Sequence, residues 1–310
     1  MRTKIYVAGS ATFLGKRVVN VLKKYERTYA LVPEGATDTP KSAARTLSKA
    51  KPDMVVNCGM DTGGIAYVAK NPGDLFYRNT LAHLSLQEAA RLAGVKKNVV
   101  ILSNSTYPST HTGKLKEKDW WSGPMAQSAS SIGGSGKAAW LQSLAYQQQY
   151  GSSYTHLIVS NLYGPDDYFD ETKSYAAGAL IDRIIRARRE HKKSVTIWGT
   201  GRAVRDWLYV DDAAIAIMKS LKKNTGLEPI NIGTGVGHSI ASLAKCIQTT
   251  VGYTGELHYD LTKPDGAPRK IMDNTRCANM LGWKPSTDLA RGINKTVSWY
   301  EQYMPLQRTP

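Results

Sequence analysis

Cysteine is scarce in this 310-residue chain, and carboxylates are outnumbered by cations. The three cysteines, Cys58, Cys246 and Cys277, are odd in number and widely spaced. That excludes a disulfide or zinc framework and points to reduced thiols in the cytoplasm or another reducing compartment. No apolar run approaches the length of a membrane span, so no membrane partner is expected. The first strand pattern, Lys4-Ile5-Tyr6-Val7-Ala8, begins almost at Met1 and leaves no signal or transit peptide visible. Internal repeats and low-complexity tracts are absent. The acidic run Asp166, Asp167, Asp170 and Glu171 has no histidine partner and reads as a solvated turn, so no metal is expected.

What is abundant is positive charge. Forty-one Lys and Arg against 25 Asp and Glu give a net charge of +16, which suits polyanionic partners: nucleotide phosphates, nucleic acid or an acidic protein surface. The densest cluster is Arg183, Arg186, Arg188, Arg189, His191, Lys192 and Lys193, at the end of a helical pattern. It reads either as a solvated helix face whose cations complement the helix dipole or as a nucleic-acid patch. No nucleic-acid motif accompanies it.

Strand and helix patterns alternate through the first half. Strand candidates are Ile5 to Ala8, Thr28 to Val32, Met54 to Cys58, Val99 to Leu102 and Thr155 to Ser160. Helical patterns run from Leu14 to Lys24, Lys41 to Ala50, Leu75 to Ala93 and Lys137 to Tyr150. This order predicts an α/β fold, a doubly wound parallel sheet of Rossmann type. After Pro165 longer helices are separated by short strands. The expected division is therefore a dinucleotide-binding domain over 1–165 and a smaller α/β substrate-side domain over 166–310, with segments near 205–235 returning to the first.

Gly9-Ser10-Ala11-Thr12-Phe13-Leu14-Gly15 follows the first strand and opens a helix, the setting in which a glycine-rich turn seats a pyrophosphate on helix amides. Thr12 stands where the middle glycine of Gly-x-x-Gly-x-x-Gly would be. A plain strand-to-helix turn without cofactor stays open beside the NAD(P) reading. After the second strand, Glu34 offers a carboxylate for a ribose 2′-hydroxyl, and no arginine is present there for a 2′-phosphate, which favours NAD(H).

One absence bears on chemistry. No tyrosine lies between Tyr107 and Tyr146, and Gly133 stands four residues before Lys137. The chain otherwise resembles extended short-chain dehydrogenases, whose Tyr-x-x-x-Lys pairs a phenol with an ammonium one helical turn away. The Tyr259 to Lys263 spacing falls in a Pro/Gly-bounded segment and reads as coincidental.

Longer stretches resemble one family, the GDP-L-fucose synthases. They are Thr62-Gly63-Gly64-Ile65-Ala66 with Asn79, Ser103-Asn104-Ser105-Thr106-Tyr107-Pro108, Asn161-Leu162-Tyr163-Gly164-Pro165, Trp198-Gly199-Thr200-Gly201, Arg205-Asp206-Trp207-Leu208-Tyr209-Val210-Asp211-Asp212, Asn231-Ile232-Gly233-Thr234-Gly235 and Lys263-Pro264-Asp265-Gly266-Ala267-Pro268-Arg269-Lys270. The resemblance implies epimerisation and NADPH-dependent reduction of a GDP-4-keto-6-deoxy-sugar, with a homodimer built through helices flanking the Lys137 segment. Carried over, the family's serine is kept at Ser103, but its cysteine falls at Ser105, its tyrosine at Gly133 and its histidine at Tyr175. Ser103 and Lys137 remain of the catalytic set. Implied cofactor contacts are Gly9, Thr12, Leu14, Gly15, Asn79 and Lys137. Implied substrate contacts are Asn161, Arg183, Trp198, Arg205, Asp265 and Arg269, since arginines clamp diphosphates and tryptophan offers a stacking face.

The expected function is a catalytically degenerate relative, a structural or nucleotide-sugar-binding subunit of a larger assembly. The alternative is an active NAD(P)-dependent nucleotide-sugar epimerase/reductase using altered residues. Trp120-Trp121 reads as a cap on the cleft, a partner contact or core packing, and Arg205 with Asp206 as a local ion pair or a ligand site. None of the six histidines is assigned a catalytic role.

Overall fold

The computed structural model describes residues 2–37, 39–170, 172–263 and 265–304. Its strands are β1 (Thr3–Ala8), β2 (Tyr29–Leu31), β3 (Met54–Asn57), β4 (Lys97–Ser103), β5 (Tyr154–Val159), β6 (Asn161–Tyr163), β7 (Ser194–Trp198), β8 (Val204–Arg205), β9 (Trp207–Tyr209), β10 (Ile230–Ile232), β11 (His238–Ser239), β12 (Glu256–Asp260) and β13 (Arg269–Lys270). The helices are α1 (Phe13–Lys23), α2 (Pro40–Ala50), α3 (Ile65–Lys70), α4 (Pro72–Leu92), α5 (Ser130–Tyr150), α6 (Ala176–Arg189), α7 (Val210–Ser220), α8 (Ile240–Val251), α9 (Thr275–Leu281) and α10 (Leu289–Tyr303).

Six strands form one sheet in the order β10-β5-β4-β3-β1-β2, and every pairing in it is parallel. The apolar runs in these strands explain why both faces are covered. Along β1, Ile5 and Val7 join the core shared with α1 and α7, whereas Tyr6 and Ala8 join the core under α2 and α4. Alternate side chains of a strand point to opposite faces, so a near-continuous apolar strand needs a helix layer on each side. A separate core gathers α6, α8 and α10 around β7 and β9.

The smaller half is interleaved with the first. β10 joins the large sheet beside β5, α7 packs on α1, and Cys277, Leu281 and Trp283 belong to the large sheet's core. Helix α5 starts at Ser130, seven residues earlier than the apolar pattern suggests. Its glycines allow close packing at the cost of helix propensity. A Cβ on Gly136 would meet Thr106 at 3.0 Å and Leu102 at 3.3 Å, so their absence lets the helix lie close over β4.

The order reversal between β1 and β3 puts the carboxyl ends of these strands at a switch point, where open α/β sheets bind ligands. Gly9 follows β1, Cys58 follows β3, Ser103 ends β4, and Ser160 follows β5. All four positions open onto one side of the sheet. Among the described residues no helix is long and apolar enough to cross a membrane.

Candidate functional site

At the switch point the glycine turn is built tightly. Gly9 has φ +71°, and a Cβ on it would lie 2.6 Å from the Gly59 Cα; a Cβ on Gly15 would lie 1.9 Å from the Gly9 carbonyl oxygen. Thr12 caps α1, accepting from the Gly15 amide at 3.1 Å and donating to the Gly9 carbonyl at 2.7 Å. Its hydroxyl therefore serves the turn rather than standing free in the groove. Glu34 reaches the same turn from the end of β2, accepting from the Gly9 amide at 2.7 Å, the Ser10 amide at 3.1 Å and the Ser10 hydroxyl. A cleft of about 340 Å³ lined by Gly9, Thr12, Glu34, Gly35, Asn57 and Gly59 adjoins it. These residues fit a dinucleotide. A 2′-phosphate there would meet the Glu34 carboxylate, a like charge.

The position equivalent to the missing tyrosine is filled, not open. A Cβ on Gly133 would meet the Ser105 carbonyl oxygen at 2.5 Å and the Met125 Sδ at 2.5 Å. Lys137 is buried, and its ammonium lies 4.3 Å from the Trp121 ring centroid and 5.9 Å from that of Trp120. Desolvation lowers its pKa. Lys137 does not line the main cavity, and Trp120 packs edge-on against both Trp121 and Trp140, the three ring centroids 5.3–5.6 Å apart. Trp120 thus packs into the domain's own core, whereas Trp121 lies over the lysine and is half exposed; neither lines the cavity.

The main cavity, about 380 Å³ and largely apolar, runs from Thr12 and Leu14 past Ser103 and Ser105 to Asn161, Arg183, Trp198, Arg205 and Asp265. Ser103 ends β4 and caps the following turn: its Oγ accepts from the Ser105 amide and donates to the Ser105 Oγ, both at 3.1 Å. At the far end Trp198 is 47 % exposed, and the Lys263 ammonium sits 5.5 Å from its ring centroid. Asp265 accepts from the Thr200 amide and hydroxyl at 2.7 Å each, fixing the Gly199-Thr200 turn. Pro264, in the same loop, lies outside the described residues. Asn161 donates to the Asp206 carbonyl at 3.2 Å, and Arg183 to the Thr196 carbonyl at 2.6 Å.

Two placements differ from sequence expectation, and at a third one of two open readings, the ion pair, falls. Asn79 is buried and does not line the cavity; its amide brackets the Asp61 backbone through two 2.8 Å bonds. Arg269 is exposed, and its neighbour Lys270 lines the cavity instead, because the strand pleat turns adjacent side chains to opposite faces. Arg205 and Asp206 do not pair. Asp206 is wholly buried and accepts from Thr234, Gly235 and Met272, while Arg205 faces the cavity.

Lys270 is a site residue that sequence reasoning missed, since alternation across Arg269-Lys270 says that one of the two faces inward but not which. Burial and the nearby Arg205 bring its pKa down to about 8. Two desolvated cations with one carboxylate form a natural anion site.

The acidic run is also unlike its expected form. Asp166 pairs with Arg17, and Asp170 accepts from the Thr172 and Lys173 amides at 3.0 and 2.9 Å. Glu171 lies outside the described residues. Asp167 is buried and lines the cavity, so it is no solvated turn residue. Close by, Tyr175 caps α6 and shares a hydrogen bond with the Thr62 hydroxyl, both residues lining the same cavity.

The remaining chemistry-bearing residues lie elsewhere or are inert. Burial pushes the Cys58 thiol up to about 12, so it offers no thiolate. No histidine lines the cavity. In the basic cluster, Arg186 pairs with Asp182 at 2.8 Å, Arg188 with Glu301 at 2.5 Å and Lys192 with Glu190 at 2.6 Å, which neutralises much of its field. Among the described residues no three of His, Cys, Asp and Glu converge as a metal-ligand set.

Residues 5–233 match the NAD dependent epimerase/dehydratase family. The chain is 32% identical to GDP-L-fucose synthase 1 of Arabidopsis thaliana over 300 residues, covering 96% of this chain and 93% of the other. Among solved structures it is similar to a GDP-6-OMe-4-keto-L-xylo-heptose reductase from C. jejuni, with 28% identity, TM-score 0.89, and coverage of 97% of this chain and 98% of that one. A GDP-mannoheptose C4 reductase from Campylobacter jejuni with NADP bound is likewise 28% identical, with TM-score 0.85 and coverage of 97% and 98%.

Proposed function

The chain belongs to the NAD dependent epimerase/dehydratase family, and from that premise we propose that it is a nucleotide-sugar epimerase/reductase of the GDP-L-fucose synthase type whose proton-handling residues have changed. The observation that carries this reading is the single cavity joining Ser103 to Arg183, Trp198, Arg205, Asp265 and Lys270. Trp198 offers a stacking face for the base, Arg183, Arg205 and Lys270 take the diphosphate, and Ser103 faces the sugar. Glu34 selects a dinucleotide with a free 2′-hydroxyl, so NAD(H) is preferred over the NADP named for one structural relative. The dinucleotide, when bound, supplies the hydride for reduction of a sugar ketone. Self-association would use α4 and α5, where Phe76, Tyr77, Leu141 and Tyr150 are exposed.

A second reading, a non-catalytic nucleotide-sugar-binding subunit of a larger assembly, is favoured by one observation: Gly133 is filled by Ser105 and Met125, and Lys137 is held by tryptophans. One experiment tests both. Calorimetry with a GDP-hexose should show binding that Arg205→Ala weakens at least tenfold, and no binding at millimolar concentration would overturn both readings. A GDP-4-keto-6-deoxy-hexose is then incubated with NADH or NADPH. Product formation supports the enzyme; binding without turnover supports the subunit.

A further inference from the structure

The six strands of the large sheet run parallel, so their amino ends share one end of the molecule, opposite the carboxyl ends that carry the cavity. The chain returns to that end from α1, α2, α4 and α7, and each return brings exposed cations. Lys23, Lys24 and Arg27 lie between α1 and β2, and Lys49 and Lys51 at the end of α2. Arg2 and Lys4 stand at the start of β1, Lys96 precedes β4, and Lys222 and Lys223 follow α7. Backbone bonds hold these segments side by side. The Thr3 amide donates to the Thr28 carbonyl at 3.0 Å, the Asp53 amide to Lys4 at 2.9 Å and the Lys96 amide to Asp53 at 3.0 Å. The buried Lys97 ammonium donates to the Lys223 carbonyl and ties the α7 end to the same edge.

In these segments ten exposed cations meet two carboxylates, Glu26 and Asp53. Asp53 is already taken by Lys96 at 3.5 Å, and among the described residues Lys23, Lys24, Lys49 and Lys51 make no ion pair. Helix C-termini attract cations, but four helix ends present only about two negative charges in all. An excess of eight positive charges is severalfold more than the helix ends call for. The cluster at the end of α6 differs, because Asp182, Glu301 and Glu190 pair with its cations.

We propose that this end of the sheet is a docking surface for the phosphate backbone of a nucleic acid, held without regard to base sequence. Eight of the ten cations are lysines, a residue depleted from protein–protein interfaces yet suited to phosphate as a point charge. Exposed apolar side chains here form no stripe that could enter a bilayer. Tyr25 follows α1 on one side of the sheet, whereas Leu92 and Tyr150 end α4 and α5 on the other. A basic patch alone supplies one of the two signals that stable membrane attachment needs. A nucleic acid needs no second signal, because neutralising its closely spaced phosphates releases condensed counterions. Contacts of this kind position the polymer and carry no sequence information.

The test is fluorescence anisotropy of the intact chain with a labelled DNA duplex of random sequence. Wild-type affinity should fall about a thousandfold between about 50 and 200 mM salt, the change expected when roughly six phosphates are neutralised. Combining Lys23→Gln, Lys24→Gln, Lys49→Gln and Lys51→Gln should flatten the slope of log affinity against log salt by about 3–4, and Lys49→Gln with Lys51→Gln by about half as much. Lys192→Gln with Lys193→Gln, at the end of α6, should leave the slope unchanged. Thermal melts that coincide with wild type show that each variant is folded. A duplex that fails to bind at about 50 mM salt, or that binds the fourfold variant with the wild-type slope, would overturn the proposal. So would a wild type that sediments with phosphatidylserine vesicles and ignores the duplex, which would make this end a membrane contact.

Discussion

The Lys137 ammonium and the Trp121 indole lie 4.3 Å apart, cation over ring, in a chain whose resemblance assigns that lysine to the dinucleotide. The contact explains how a buried cation persists without a carboxylate: ring faces of two tryptophans replace part of its hydration. The lysine lines neither cavity. Lys137→Met should therefore cost only about 0.5–2 kcal/mol of stability and leave dinucleotide affinity within twofold of wild type. Chemical denaturation and calorimetry measure the two quantities. A tenfold loss of NADH affinity would mean that the lysine leaves its tryptophans to hold the ribose.

At Gly133 two effects compete. Alanine in a helix interior gains about 0.5–1 kcal/mol over glycine, whereas forcing a methyl against a fixed backbone carbonyl costs about 1–3 kcal/mol. The Ser105 carbonyl, 2.5 Å from the would-be Cβ, decides for the cost. Gly133→Ala should lower stability by about 1–2 kcal/mol. Gly134→Ala should be neutral or stabilising, since its nearest neighbour is the Phe76 ring at 3.2 Å, which can turn aside. Paired urea melts check this. Equal effects at the two positions would contradict the packing described for α5.

That packing bears on what a sequence can reveal. The alternating apolar strands, the Gly9 to Gly15 turn and the helices over the sheet are legible because each reflects local periodicity or a backbone demand of its own. The vacancy at Gly133 was legible too, but not its filling, which depends on Met125 arriving from a loop. Asp167 reads as solvated from sequence because it sits in an acidic loop with no histidine partner; Phe169, two residues on, packs on α10 by ring contacts that no local pattern displays. Arg269 and Lys270 exchange roles because β13 pairs with β8 in a register fixed only by the assembled sheet.

Glu34 yields a prediction about cofactor choice. Its carboxylate lies on the Gly9 and Ser10 amides, where a ribose 2′-substituent would approach. Two like charges about 4 Å apart repel by about 1 kcal/mol even at the dielectric of water, and more when partly screened from solvent. NADH should bind at least fivefold more tightly than NADPH. Glu34→Ala should narrow or reverse that ratio, mostly by improving NADPH binding. Calorimetric titration of both dinucleotides against both proteins measures it, and a wild type that prefers NADPH would show that Glu34 swings clear of the turn.

Lys270 makes ligand binding depend on pH in a direction opposite to stability. Its pKa is lowered to about 8 by burial and by Arg205, against an ordinary 10.5. Between those values the unfolded chain holds the extra proton, so Lys270 makes the fold gain stability as pH rises from about 8 to about 10.5. A diphosphate prefers the ammonium, so its affinity must fall over the same window. With the lysine mostly charged at pH 7 and mostly neutral at pH 9, GDP-hexose affinity should drop roughly tenfold between them. Lys270→Met should start about tenfold weaker and be nearly flat with pH, the loss expected for one charge-assisted hydrogen bond of about 1.5 kcal/mol. Calorimetry at the two pH values, set beside thermal melts of the ligand-free protein, separates the two effects. A wild-type affinity that holds constant to pH 9 would place the diphosphate on Arg183 and Arg205 alone, with Lys270 a bystander in the cavity wall.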